Sequence, residues 1–470
     1  MKNLKTHIIK GALSLFFLLF ICSCEDYLDI DLPDNKIVSE AVFEDEQGAK
    51  AALQGIYNQL TTAKFSDGGS NSITLLSGLS ADNIMTIINT EALEQFEYNE
   101  ISIMSSNNHN IWTSAYNIIY QTNSLLSGLK NSHHLNNKEK EVLVSKAKFI
   151  RAFVNFYLVN LYGDIPLVLS TDYRVNSVIP RSDKSDIYQQ IESDLASAHD
   201  VLINTDNVDN DLEINAYTVK ALYARYQLYQ GNWEAAEEWS SDVIQSGHYQ
   251  LEQDLDNVFL SSSAEAIWQL SPEGSGSGAS HTNEGNLFII DDTPSVLTPV
   301  ALTSELINIF TVNDERKTNW INDYTENQST YYYPFKYKIK YDTSDHIQEY
   351  SMVMRLAEQY LIRAEARAQQ NKLQGAIADV DMIKQRAGLP LLSVTQPGIS
   401  QQSLLEEILL ERRKELFAEW GHRWFDLKRL EKATEILAPK KASWDPTDIL
   451  YPISEDEINK NHYLNQNPGY

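Results

Sequence analysis

LLEEILLERRKELFAEWGHRWFDLKRL, residues 404–430, decides how the rest of the chain is read. Leu405, Ile408, Leu409, Leu416, Phe417, Trp420, Trp424 and Leu427 recur at helical spacing, and Gly421 allows a break or tight turn between two helices. Between them lie Glu411, Arg412, Arg413, Glu415, Glu419, His422, Arg423 and Asp426. Catalysis would need such groups held at different pKa in a cleft. Glu and Arg three and four residues apart on one helix tend instead to neutralise each other. The stretch therefore predicts an ion-paired scaffold.

Outward from it, the chain becomes helix pairs with a visible repeat. Tyr217 to Gln245 runs as a helix, then Gly231-Asn232-Trp233, then a second helix; Met354 to Gln385 does the same around Asn371-Lys372-Leu373. Aligned, Gly231 falls on Asn371, Trp233 on Leu373 and Ala236 on Ala376. Small residues there let antiparallel helices approach, and the Gly/Asn turn supplies a left-handed cap. Val142–Tyr162 with Asp186–Leu202, and Leu404–Leu416 with Trp420–Leu430, fit the same order more loosely. The expected fold is mainly α, with about four tetratricopeptide-like helical hairpins over 142–250 and 353–431.

Irregular, loop-rich insertions are expected over 61–107 and 251–350. Glu44 to Leu60 and Asn108 to Leu129 read as helices, with an irregular stretch from Asn89 to Ser106 that carries Phe96 and Tyr98. SPEGSGSGAS (271–280) reads as loop. YYYPFKYKIKY (331–341) alternates β-formers with lysines, which predicts a strand in a small β-hairpin.

At the N-terminus, Lys2, Lys5 and Lys10 precede an apolar run from Ala12 to Ile21, the pattern of a signal peptide over 1–23. Ile21-Cys22-Ser23 ahead of Cys24 resembles a bacterial lipobox, so Cys24 is the expected lipidation site; plain secretion with a free cysteine is the alternative. The expected organisation is then a lipidated tether over 24–43 and one domain over 44–470. The chain has 2 cysteines, both here, so the mature chain would keep no thiol for disulfides, catalysis or metal binding. Acyl chains on a large body give a protein anchored to a membrane without spanning it.

The formal charge of −27, made more negative by loss of the signal lysines, repels phosphate backbones and excludes nucleic acid as a partner. Neutral and cationic ligands stay open. The 25 Tyr and 8 Trp suit stacking on flat apolar faces such as those of sugars, and equally suit the rim of a large core.

Together these parts resemble the SusD/RagB family. The resemblance is carried by the lipobox at Cys24, GIYNQL (Gly55–Leu60), KAKFIRAFVNFYLVNLYGDIPLV (Lys146–Val168), ERRKELFAEWGHRWFDLKRL (Glu411–Leu430), YPISEDEI (Tyr451–Ile458) and QNPGY (Gln466–Tyr470). The acidic pair Glu25-Asp26 resembles the export signal of surface lipoproteins in Bacteroidetes. The resemblance implies an outer-membrane lipoprotein without catalysis. It would capture oligo- or polysaccharide at the cell surface for a SusC-like TonB-dependent outer-membrane transporter. In this family the recognition residues vary with the ligand, so no site residues carry over. Within the shared blocks, Gly163 is expected to end a helix in the left-handed conformation, and Asp164 to cap local backbone.

Sugar binding needs aromatic platforms and planar polar groups. One candidate patch is Trp320, Tyr324, Tyr331 and Tyr332, among Asn319, Asn322, Asp323 and Asn327; Trp320 sits in the polar run KTNWIND. A second is Asp82, Asn83, Phe96 and Tyr98, where Asp82-Asn83 could also simply close a turn. His281 is a weaker third, more readily an exposed surface histidine. There is no H-E-x-x-H, G-x-S-x-G, Walker or dinucleotide motif, and no cofactor is expected. The acidic run Asp206 to Glu213 lacks the glycine and spacing of a calcium loop, and reads as solvated. The competing functions are a helical-repeat adaptor for transporter assembly or gating, a binder of non-sugar cargo such as peptide, and a surface glycosidase with two carboxylates across a cleft.

Overall fold

Residues 42–205 and 210–470 are described by the structure, a computed structural model. The expected signal peptide, Cys24 and the tether as far as residue 41 lie outside the described residues, as do residues 206–209 of the acidic run.

Helix α1 (Glu46–Thr62) starts where Asp45 accepts the Gly48 N–H, and buries Ala49, Leu53, Ile56, Tyr57 and Leu60, the face its periodicity predicts. Helix α2 (Ile73–Ser80) is capped by Ser72 and almost wholly buried. Strand β1 (Ile84–Thr86) leads into α3 (Glu91–Glu97), a short helix within the stretch expected to be irregular; its order comes from burying Leu93 and Phe96. Long helices α4 (Ser106–Asn131) and α5 (Asn137–Tyr162) follow as an antiparallel pair. From Ala147 to Tyr162 nearly every side chain of α5 is buried, making it the central rod of the fold.

Gly163 ends α5 at φ 74°, ψ −123°, a positive-φ conformation that glycine tolerates but not the left-handed helical one expected. Asp164 reaches further than local backbone: its Oδ1 accepts the Lys184 N–H, 2.8 Å away, at the start of α6 (Lys184–Leu202). Helix α6 packs along α5, where Arg151 meets Asp194 in a buried bidentate pair at 2.8 Å.

The next repeat is α7 (Ala216–Tyr229) with α8 (Trp233–Ile244). Strand β2 (Ala266–Leu270), α9 (Asn283–Phe288), β3 (Val300–Leu302), β4 (Ile321–Glu326), β5 (Ser329–Pro334) and β6 (Ser351–Arg355) occupy the interruption. Among the described residues they form three antiparallel pairs, β1–β3, β2–β6 and β4–β5, where the sequence predicts a single hairpin. The β4–β5 hairpin turns on Asn327 and Gln328, both at positive φ, as a two-residue turn between right-twisted strands requires. It closes at Pro334, so the alternating YYYPFKYKIKY run is a strand only in its first part. Lys336 instead turns inward, its Nζ 2.5 Å from Glu419.

Helices α10 (Leu356–Gln369) and α11 (Leu373–Arg386) repeat the α7–α8 unit. Gly231 and Asn371 hold matching positive φ of 71° and 59°, and Ala236 and Ala376 are both fully buried. The units stack through Ala224, Leu228 and Ala236 against Ile362 and Ala366. Helix α12 (Gln401–Glu415) adds Leu404 and Ile408 to a core with Ala364, Ala368, Ala376 and Val380. It packs mainly on α10 and less on its expected partner α13 (His422–Arg429). The intervening turn, with Ala418, Trp420 and Gly421 at positive φ, swings α13 away.

Charges in the deciding stretch pair mostly across the fold, and less within one helix as expected. Fully buried Glu415 meets Arg316, Arg355 and Arg386, from three separate elements. Glu411 also meets Arg316, Glu419 meets Arg355 and Lys336, and Arg412 meets Asp426. Lys414–Glu411 and Arg429–Asp426 are the local pairs that fit the expectation.

Candidate functional site

The hairpin patch divides in the structure. Trp320 is 0% exposed; its Nε1 donates to the Leu255 carbonyl at 2.9 Å, and Phe259 packs edge-on at 5.8 Å. Lys336, Arg355 and Arg386 lie over its ring at 4.7–5.6 Å. Its face is therefore shut inside the ion-paired core, which overturns its expected role as a sugar platform. The polar neighbours that drew attention to it lie on an exposed segment, while its own ring completes a cationic box. Tyr324 and Tyr331 face each other across the hairpin, half-buried against Ile289, Ile290 and Tyr333. Tyr332 pairs with Asp323 and keeps 38% of its surface exposed.

The second patch is mainly structural. Asp82, 5% exposed, is bound by Arg423 at 2.9 Å, Arg413 at 3.1 Å and Lys440 at 2.6 Å. Burial pushes its carboxyl up, but Arg423 and Arg413 outweigh that and hold it well below the usual range. Asn83 accepts from Arg413 at 2.8 Å, and Phe96 is fully buried with its ring edge-on to Tyr451 at 5.4 Å. Asp82 and Asn83 tie the β1 turn to α12 and α13, while Phe96 packs inward; of the three, Asp82 alone reaches the edge of a groove, with its carboxylate already ion-paired. Tyr98 stays 47% exposed and lines a groove of about 210 Å³ with Met85, Glu97 and Glu305.

A third place was underweighted by sequence reasoning. A groove of about 250 Å³ lies between the end of α1 with its following turn, the 271–284 segment and the start of β6. Thr62, Lys64, Asp67, Ser277, His281 and Asn283 are among its lining residues. The turn is fixed from both sides: Asp67 Oδ1 accepts the Gly69 N–H at 2.9 Å, and Asn283 Nδ2 donates to the Asp67 carbonyl at 2.7 Å. Gly68, at φ 74°, lies directly over the Glu284 carboxyl, where any Cβ would collide. Burial raises Glu284 to about 7 and lifts Asp67 as well.

His281 is 9% exposed and its Nδ1 meets the backbone of Asp342, so it is not the surface histidine expected. Beside it, 5.1 Å between ring centres, stands Tyr341, 71% exposed. The groove joins hydroxyl, amide, carboxyl and imidazole groups, and the imidazole touches an open aromatic ring, the mixture needed to hold a polyhydroxylated ring. The readable signal was Asp67-Gly68-Gly69 together with the Gly/Ser-rich 271–280 run, two small-residue loops that let backbones come close.

Among the described residues, no helix is long and apolar enough to cross a membrane. The family profile described as "Starch-binding associating with outer membrane" matches residues 26–228, and the one described as "SusD family" matches 316–470. SusD-like protein P2 of Formosa agariphila is 26% identical over 97% of this chain and 98% of its own length. A SusD superfamily protein from Bacteroides vulgatus superposes with a TM-score of 0.80 at 20% identity, over 91% of this chain and 100% of that one. A laminarin binding SusD-like protein superposes at 0.76 with 24% identity, over 90% and 99%. With a SusD-type profile on each half, end-to-end relatives of the same kind and the shared helical-repeat fold, the chain belongs to the SusD/RagB family.

Proposed function

We propose that this protein is a cell-surface glycan-binding lipoprotein of the outer membrane, which holds oligo- or polysaccharide in the groove between α1, the 271–284 segment and β6. The observation that carries the reading is the exposed Tyr341 ring in contact with His281, which itself lines the groove among short polar side chains. A sugar's apolar face would stack on Tyr341, while its hydroxyls meet Ser277, Asn283 and the threonines at the end of α1. Lipid on Cys24 would tether the chain, and a SusC-like TonB-dependent transporter would receive the cargo. The starch-binding description of the matching profile and the laminarin-binding relative support glycan over peptide as cargo.

Capture without cleavage is the chemistry proposed. Asp67 and Glu284 are neighbouring carboxyl groups, but Glu284 packs behind Gly68 and is 4% exposed. A glycosidase needs its two carboxyls on either side of the scissile bond. Affinity electrophoresis against a glycan panel, with reducing-sugar release measured in parallel, tests the reading. Retardation by at least one glycan, lost in Tyr341→Ala at unchanged melting temperature, is expected. Product release would move the protein to the glycosidases, and full retardation of Tyr341→Ala would remove this groove from the site.

A further inference from the structure

At the floor of the groove, carboxyl groups meet with little countercharge. Glu284 Oε1 accepts from Ser351 Oγ at 2.5 Å, while Oε2 is buried and accepts from no neighbouring residue among those described. Asp67 adds a negative charge close by; Glu349, a further carboxyl near Glu284, takes the backbone N–H groups of Lys338 and Ile339 and has the Lys338 ammonium as its own countercharge. The cation in contact is Lys64, 3.0 Å from Asp67 on a side chain 53% exposed. Such a solvent-facing pair is weak and easily exchanged. His281 is engaged by the Asp342 backbone. Among the described residues no three His, Asp or Glu side chains gather as a metal site.

A buried carboxyl with an empty acceptor is costly, and a cation brought to it gains a charge-assisted contact that a neutral group cannot make. We infer that this groove selects glycans carrying a free primary amine, whose ammonium takes the place of Lys64 on Asp67 with Glu284 behind it. This rests on the glycan reading above and adds the class of sugar. The hydroxyl-reading wall serves any pyranose; the acidic floor distinguishes an amino sugar from its N-acetylated form, which has the same ring and no charge. The overall negative charge of the chain raises the local concentration of any polycation, but does so wherever that polycation binds.

The test compares a glucosamine tetramer, an N-acetylglucosamine tetramer and a neutral glucan tetramer by titration calorimetry at about physiological salt. The proteins are wild type, Asp67→Asn and Glu284→Gln. Wild type should bind the free-amine tetramer about tenfold more tightly than the acetylated one, the scale of one charged hydrogen bond. That preference, read within each protein as the ratio of its affinities for the amine and acetylated tetramers, should fall to within about twofold in both variants. Asp67→Asn changes a turn that Asn can still hold, so it reads out even if Glu284→Gln is poorly folded. Equal affinity of wild type for amine and acetylated tetramers would overturn the inference and leave the glycan reading standing. A preference that survives in Asp67→Asn would assign it to the general acidic surface, and would overturn it too. No binding of any tetramer would bring down both.

Discussion

Glu284→Gln gives a stability change whose sign depends on pH. In the native state burial raises this carboxyl from 4.5 to about 7, so the folded protein holds a proton that the unfolded chain releases near 4.5. A raised acid stabilises fully below the unfolded value, and that contribution is lost as pH climbs through the folded value. At 1.36 kcal/mol per pH unit, the rise is worth about 3 kcal/mol. Glutamine keeps an oxygen for Ser351 Oγ and never ionises, so it escapes the loss. Urea unfolding at about pH 4 should therefore give nearly coincident curves, whereas at about pH 8.5 the variant should be more stable by up to about 3 kcal/mol. Glu349, also raised to about 7, loses a like-charged neighbour in the variant, which adds to the gain at alkaline pH. A difference that stays constant from about pH 4 to about 8.5, or a variant less stable at the alkaline end, would refute the burial argument.

Other substitutions probe the remaining claims. Glu415→Gln strips the shared countercharge from Arg316, Arg355 and Arg386, and should destabilise by about 3–5 kcal/mol, read as a fall in denaturant midpoint. Trp320→Ala should cost a similar amount, about 3–5 kcal/mol, through the cavity left among Phe259, Lys336 and the arginines; a neutral effect on melting would return Trp320 to the surface. Tyr332→Ala and Tyr98→Ala, both partly exposed, should each shift stability by less than about 1 kcal/mol. In affinity electrophoresis they should leave retardation intact, and loss of retardation in either would extend the site to the hairpin or to the Tyr98 groove.

The helical frame was legible because helix periodicity and turn chemistry are local. Gly231 and Asn371 occupy the same positive-φ corner, and Ala236 and Ala376 the same close contact, as their alignment predicts. The misreadings share a cause. Trp320 and Asp82 sit in polar stretches of sequence, yet the partners that bury them come from far along the chain: Leu255 and Arg386 for the first, Arg413 and Arg423 for the second. Local polarity reports the neighbours in sequence and says little about what a side chain faces after folding. The 331–341 run misled in the same way, because Lys336 leaves the alternating pattern to meet Glu419.

By itself the sequence determined the order of helices, the repeat and the family, since those depend on periodicity, caps and shared blocks within short windows. Only the tertiary structure decided which charged residues are countercharges and which rings are open to a ligand. It did so by bringing the Asp67 turn, the 271–284 segment and Ser351 to one groove, from positions up to 284 residues apart, where burial and charge act through space without regard to chain order.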